Sequence, residues 1–281
     1  MGSGPSSDAH AGTTLGPYRL EELLGEGGSG LVYRARRLAD GRVVALKVLK
    51  DQHNADADQA RRFVREARAA GSVAHPNLIE VLDAGDVEGR RYLAMPYIAG
   101  RSLADRIAAE GPLPVEDGMR IVAQVAAAVD ALHAAGLVHR DIKPSNVLLD
   151  AQRGAVLTDF GLVKSRDYSA LTRPGQMVGT LQYLAPEVLR GGEPGPAADC
   201  YALGCVAYEC LAGAPPFAGL GMFALGMAIL EQEPGDPCAA RDDAPPGLGA
   251  LVCAALAKDP ADRPQSVAAY ARMLRVATRS A

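Results

Sequence analysis

Six residues, Gly25-Glu26-Gly27-Gly28-Ser29-Gly30, constrain what this chain can fold into because of what comes after them. In dinucleotide-binding folds such glycines open a helix. Here Leu31-Val32-Tyr33-Arg34-Ala35 continues as strand and turns back at Asp40-Gly41, a two-residue hairpin signal. The spacing predicts a glycine-rich hairpin. Glycine has no Cβ to block close approach, so such a loop can lay backbone N–H groups over phosphates. A merely flexible hairpin is the alternative that this motif alone leaves open.

Short Val-, Leu- and Tyr-rich runs bounded by glycine predict antiparallel sheet over residues 18–49. Alternation then puts Ala45, Lys47 and Leu49 on one face, with Ala45 small enough to roof a flat base. Lys47 lies between Leu46 and Val48, so its ammonium must reach solvent or an anion. A helical pattern through Phe63, Val64, Ala67 and Ala70, with Asp56 or Asp58 as N-cap and an end near Gly71, carries Glu66 on its inward face. A carboxylate there is costly unless paired, and Lys47 is the natural partner; two separately snorkelling side chains are the alternative. After the break at His75-Pro76-Asn77, residues 78–82 and 91–97 read as two further strands.

Beyond Gly100 the pattern changes to long Ala- and Leu-rich helical periods, over 115–135 and 197–211. The longest apolar stretch, 201–230, is interrupted by Glu209 and Pro215-Pro216, which favours a buried core helix over a membrane span. Between those helices stands His139-Arg140-Asp141-Ile142-Lys143-Pro144-Ser145-Asn146, then Val147-Leu148-Leu149, a turn with Gly154, Ala155-Val156-Leu157, and Thr158-Asp159-Phe160-Gly161. Two short apolar runs around a turn predict a hairpin that brings Asn146 and Asp159 side by side. An amide oxygen beside a carboxylate suits Mg²⁺ carrying nucleotide phosphates. Asp141 can reach a hydroxyl offered to the terminal phosphate, with Lys143 balancing its charge. Any one of these residues alone would read as a turn cap.

Length and composition narrow the class. The 281 residues fit two unequal lobes, and 48% hydrophobic with 22% charged residues is the balance of a soluble globular enzyme. With 29 basic against 33 acidic residues the net charge is −4, so no strong field draws the chain to nucleic acid or anionic lipid, and neither is expected as a partner. Five cysteines, Cys200, Cys205, Cys210, Cys238 and Cys253, show no Cys-x-x-Cys pair and read as buried free thiols in a reducing cytosol. Residues 1–15 lack periodicity and read as a disordered tail, although Met1-Gly2-Ser3-Gly4-Pro5-Ser6 formally matches a myristoylation pattern.

Taken in order, the glycine loop with Val32, Val44-Ala45-Leu46-Lys47, the His-Arg-Asp loop, Asp159-Phe160-Gly161 and Ala185-Pro186-Glu187 resemble the protein-kinase family over about residues 18–274. Gly179-Thr180-Leu181-Gln182-Tyr183-Leu184 and Asp199-Cys200-Tyr201-Ala202-Leu203-Gly204 make the resemblance closest to bacterial, eukaryotic-like Ser/Thr kinases. The resemblance implies an α+β, two-lobed fold: a small antiparallel-sheet N-lobe with one main helix (16–98), a larger mainly helical C-lobe (99–276), and a short tail (277–281). It implies transfer of the ATP γ-phosphoryl group to Ser or Thr hydroxyls of protein substrates, with Mg²⁺ or Mn²⁺, and allows a homodimer that phosphorylates itself in trans. The expected location is the cytoplasm, with a membrane anchor only if the natural chain extends beyond Ala281, as relatives often do into a membrane span and sensor domain. A non-catalytic scaffold and a small-molecule phosphotransferase are the rivals; the intact Lys47, Asp141, Asn146 and Asp159 speak against the first, and Ala185-Pro186-Glu187 with Gly179-Thr180 against the second.

By position, the resemblance makes Asp141 the acceptor of the substrate proton, Lys143 and Thr180 marks of the Ser/Thr branch, and Asn146 and Asp159 the metal ligands. Lys47 would hold the α and β phosphates and pair with Glu66. Leu24, Gly25, Glu26, Gly27, Gly28, Ser29 and Gly30 would cover ATP; Val32, Ala45 and Leu148 would sandwich the base. Met95 resembles the gatekeeper, followed by Pro96, Tyr97 and Ile98, where the backbone of Pro96 and Ile98 would bond adenine. Glu187 would pair with Arg263. Phosphate on Thr172, or second Ser169, would pair with Arg140. Three departures stand out: Pro96 replaces a frequent Glu, Ser29 a bulky loop tip, and Ala70 a larger residue one turn after Glu66.

Overall fold

The computed structural model describes residues 12–27, 30–49, 57–159 and 181–279, with 57–63 described by backbone alone. Its contacts divide into two compact units: one runs to Ala74 and resumes over Ile79–Ala99, the other is His75–Leu78 with the chain from Gly100 onward.

The first unit holds strands β1 (Thr14–Leu15), β2 (Tyr18–Glu26), β3 (Gly30–Arg37), β4 (Val43–Leu49), β5 (Asp83–Val87) and β6 (Arg90–Pro96), with helix α1 (Ala57–Gly71) between β4 and β5. The strands form one sheet in the order β1-β2-β3-β4-β6-β5, antiparallel throughout. The Asp40-Gly41 turn between β3 and β4 uses Gly41 at φ 71°, a left-handed value that suits glycine. Register separates the two faces. Tyr33, Leu46 and Ala94 pair in one row and Ala35 with Val44 in another, and these join Leu15, Tyr18, Leu20 and Tyr92 in a buried cluster. The opposite face carries the row Val32–Lys47–Leu93 and the pair Ala45–Met95.

Two expectations are corrected here. Residues 14 and 15 are not part of a disordered tail, because Leu15 buries its side chain in the sheet cluster and β1 pairs with β2. Residues 78–82 are not a strand. Leu78 and Ile79 are buried, but Leu78 makes only an isolated bridge, to Leu157. The strand comes next, at Asp83–Val87, on the sheet's edge. An edge strand has one neighbour and needs no apolar alternation, and Asp83 instead accepts hydrogen bonds from the Tyr18 and Tyr92 hydroxyls at 3.1 and 2.9 Å.

The second unit is mainly helical: α2 (Leu103–Glu110), α3 (Val115–Ala134), α4 (Pro186–Leu189), α5 (Pro196–Ala212), α6 (Met222–Glu231), α7 (Leu248–Ala254) and α8 (Val267–Arg279), with a hairpin of β7 (Val147–Asp150) and β8 (Gly154–Leu157). Helix α3 packs against α5, α8 and β8, and its Val122, Val125, Ala126 and Val129 are fully buried. The apolar run 201–230 is not one helix. Gly213 at φ 77° ends α5, its N–H on the Glu209 carbonyl at 2.8 Å, an end that glycine makes without strain. Pro215-Pro216 then breaks the chain before α6 begins. Helix α8 continues through Arg279, beyond the expected end at 276, with Tyr270 and Leu274 buried. The five cysteines are free, but only Cys200, Cys205 and Cys210 are buried, and Cys238 and Cys253 are half-exposed. Among the described residues no helix is long and apolar enough to cross a membrane.

Candidate active site

Each unit carries part of the expected site. In the first, Ala45 and Lys47 lie half-buried on the sheet face away from the tyrosine cluster, with Val32 and Met95 in the same rows. The glycines divide by environment. A Cβ built on Gly25 would meet nothing within 4 Å, and one on Gly27 only the Gly30 carbonyl at 3.8 Å. On Gly30 it would strike the Val48 carbonyl oxygen at 2.4 Å. So Gly25 and Gly27 leave open backbone suited to a phosphate, whereas Gly30 is glycine because β4 lies against it. Leu24 and Glu26 end β2 exposed; Met95 is buried, Pro96 half-buried, Tyr97 exposed and Ile98 buried. Glu66 is half-buried on α1 beside Ala67 and Ala70, both buried. Gly28, Ser29, Ser169, Thr172 and Thr180 lie outside the described residues.

In the second unit the loop before β7 is tightly cross-linked. Asn146 ends a turn of 3-10 helix, Pro144–Asn146. Its Nδ2 donates to the Asp141 carbonyl at 2.7 Å and to Asp141 Oδ2 at 3.0 Å, and Lys143 Nζ stands 3.2 Å from the same Oδ2. The amide nitrogen is thus committed to Asp141, which leaves the amide oxygen for a cation. β7 and β8 pair Val147 with Leu157, so the residue opposite Asn146 is Thr158, whose N–H donates to the Asn146 carbonyl at 2.8 Å. Asp159 is one step further, at φ 57°, where the ladder has ended. The expected neighbour was displaced by one because the turn 151–153 has an odd number of residues. Leu148 on β7 is half-buried, opposite Val156.

Hydrogen bonds fix the histidine of this loop as a neutral tautomer. His139 Nδ1 accepts from the Asp141 N–H at 3.3 Å, so Nε2 carries the proton and donates to the Thr158 carbonyl at 3.1 Å. Complete burial pushes its pKa down, against the pull of Asp199 and Asp141.

Sequence reasoning assigned no role to Asp199, yet it anchors the loop. Asp199 is 2% exposed in the first turn of α5. Its Oδ2 accepts from the His139 N–H and from His133 Nε2, both at 2.8 Å, and its Oδ1 from the Arg140 N–H at 2.9 Å. A buried carboxylate needs such donors. They in turn hold Arg140 at φ 68°, a left-handed value that costs a non-glycine residue of order 1–3 kcal/mol. The sequence signal was a carboxylate in the first turn of a mostly apolar helix, which also reads as a complement to the helix dipole.

Glu187 and Arg263 meet in a bidentate pair, with Nη1–Oε1 at 2.8 Å and Nη2–Oε2 at 2.7 Å. The guanidinium also donates to the Ala197 and Ala257 carbonyls and lies 5.0 Å over the Tyr201 ring. Nearby, Tyr183 donates to Glu209 Oε2 at 2.6 Å, and burial raises the pKa of that carboxyl.

Residues 18–273 match the family described as protein kinase domain. The serine/threonine-protein kinase PknE of Mycobacterium bovis is 40% identical over 258 residues, covering 92% of this chain and 45% of that one. Serine/threonine-protein kinase pkn3 of Myxococcus xanthus is 40% identical over 278 residues, 95% of this chain and 51% of its own. The chain spans about half the length of these curated relatives. Among solved structures, the Mycobacterium tuberculosis PknI kinase domain superposes with TM-score 0.74 at 33% identity, covering 95% of this chain and 98% of that one.

Proposed function

This chain belongs to the protein kinase family, as a bacterial Ser/Thr kinase domain, and from that premise we propose how its own residues transfer the γ-phosphoryl group of ATP to a protein hydroxyl. The observation that carries the reading is the Asp141–Asn146–Lys143 cluster, with Asp141 bonded by Asn146 and 3.2 Å from Lys143 Nζ.

Asp141 accepts the proton of the attacking Ser or Thr hydroxyl and orients it, while Lys143 balances the charge that develops next to it. Asn146 Oδ1 and the Asp159 carboxylate are hard oxygen donors that fit a Mg²⁺ ion. Among the described residues no cluster of three or more His, Cys, Asp or Glu is arranged to hold a metal. When bound, Mg²⁺ supplies charge neutralisation at the transferring phosphate. Lys47 takes the α and β phosphates and pairs with Glu66, and the backbone of Gly25 and Gly27 covers them. Val32, Ala45 and Leu148 contact the base, Met95 borders it, and the Pro96 carbonyl and Ile98 N–H read its edge. Pro at 96 removes only an N–H, so the acceptor is kept.

The exposed Arg140 supports pairing with a phosphate on Thr172 or Ser169, formed in trans by a homodimer. Asp141→Asn should lower kcat by about 10²-fold or more. Radiolabelled-ATP transfer to myelin basic protein, with mapping of phosphate on the chain itself, reads both steps; wild-type turnover from the variant would overturn Asp141's role.

A further inference from the structure

The loop and the hairpin beside it contain a closed circuit of hydrogen bonds. The Asp141 N–H donates to His139 Nδ1, and His139 Nε2 donates to the Thr158 carbonyl. The Thr158 N–H and its hydroxyl both donate to the Asn146 carbonyl, at 2.8 and 3.1 Å. Asn146 Nδ2 closes the ring on Asp141. The links are made by backbone groups, by the Asn146 and Asp141 side chains that have a part in the site, by the His139 ring, and by one hydroxyl. That hydroxyl belongs to Thr158, a residue 8% exposed, and it is the link made directly to the Asn146 peptide by a side chain. Two donors on one carbonyl fix the plane of the peptide from which the Asn146 side chain departs.

From this geometry we infer that Thr158 is a positioning residue. Its hydroxyl holds the Asn146 backbone so that the amide nitrogen stays on Asp141 and the amide oxygen stays turned to the divalent cation. The inference rests on the reading of Asn146 as a metal ligand. A hydroxyl that merely satisfied its own burial would add to stability and do nothing to metal affinity.

Thr158→Val keeps the branched shape and removes the donor, whereas Thr158→Ser keeps the donor and removes a methyl group. In kinase assays over a Mg²⁺ titration, Thr158→Val should raise the half-saturating Mg²⁺ about fivefold and lower kcat by a similar factor, the size of one net hydrogen bond. The KM for ATP should stay within about twofold, and Thr158→Ser should remain within about twofold of wild type throughout. Electron paramagnetic resonance of Mn²⁺ titrated with a non-hydrolysable ATP analogue reads the same site without turnover, and should show about fivefold weaker binding for Val alone. Equal Mn²⁺ affinity in wild type and Val overturns the inference, as does a loss shared by Val and Ser. Wild-type transfer with unaltered Val would sink the positioning role and leave the transfer reading intact. An inactive wild type in which the Mn²⁺ difference persists would do the reverse, and a wild type that binds no Mn²⁺ would overturn both.

Discussion

His139 shows how burial of a single residue sets a pH response. Burial holds its folded pKa below the ordinary 6.5. As pH falls through about 6.5 the unfolded chain gains a proton that the folded chain refuses, so stability is fully present above that pH and is lost on acidification toward the folded pKa. His75 is shifted the same way by burial, and Glu209 the opposite way. Urea unfolding between about pH 7 and pH 5 should therefore show a smaller loss in His139→Gln than in wild type; equal losses would assign the slope to His75. Lys47 and Asn146 stood out in the sequence because each is a charged or amide group beside a short apolar run, whereas Asp141, between Arg140 and Lys143, was singled out mainly by the family resemblance. Thr158 and Asp199 were not legible. A threonine before an aspartate reads as turn, and nothing in one dimension shows that the Asp199 carboxylate meets two backbone N–H groups sixty and fifty-nine residues earlier.

At the scale of elements, the glycine hairpin separates folding from binding. Gly30→Ala places a methyl 2.4 Å from the Val48 carbonyl, an overpacking that should cost about 1–3 kcal/mol in a denaturant titration. Gly25→Ala meets no atom within 4 Å, so its melting temperature should match wild type while KM for ATP rises; a matching fall in stability for both would remove the distinction. Asn77 ties residues 75–78 to the second unit, donating from Nδ2 to the Arg153 and Ala155 carbonyls at 3.2 and 2.7 Å. Asn77→Ala should cost about 1–3 kcal/mol through the carbonyls left unmet, read as a shifted urea midpoint at constant slope. Helix α3 was legible because its buried residues repeat with the helical period, and α5, buried on nearly all sides, because its long run of Ala, Leu and Cys lacks a strand's length limit and breakers. The 201–230 run was misread because apolar content does not mark where glycine can end a helix, and 78–82 because burial against a hairpin looks the same as burial within a sheet.

For the whole second unit, the Arg263 pair is the tie with the widest reach, joining α4, the start of α5 and the turn before α8. The Arg263 side chain is fully buried and that of Glu187 is 22% exposed. Glu187→Ala would leave a buried guanidinium with only carbonyls and a ring, and should destabilise by about 3–5 kcal/mol in guanidinium chloride unfolding. A loss below about 1 kcal/mol, the range of exposed pairs, would show that the carbonyls suffice.

The assignment of His75–Leu78 to the second unit means that the chain passes between units three times, not once. A single cut after Ala99 therefore cannot produce two self-sufficient pieces. The piece from Gly100 would lack the Asn77 carbonyl that receives the Leu157 N–H at 2.8 Å and the Pro76 carbonyl that receives the Arg153 guanidinium. Its small hairpin would be left with a bare edge. In the language of protein complementation, the front fragment is a donor: it lends four residues of backbone to the other half, and a split version of this kinase would be reconstituted only by a fragment that carries them.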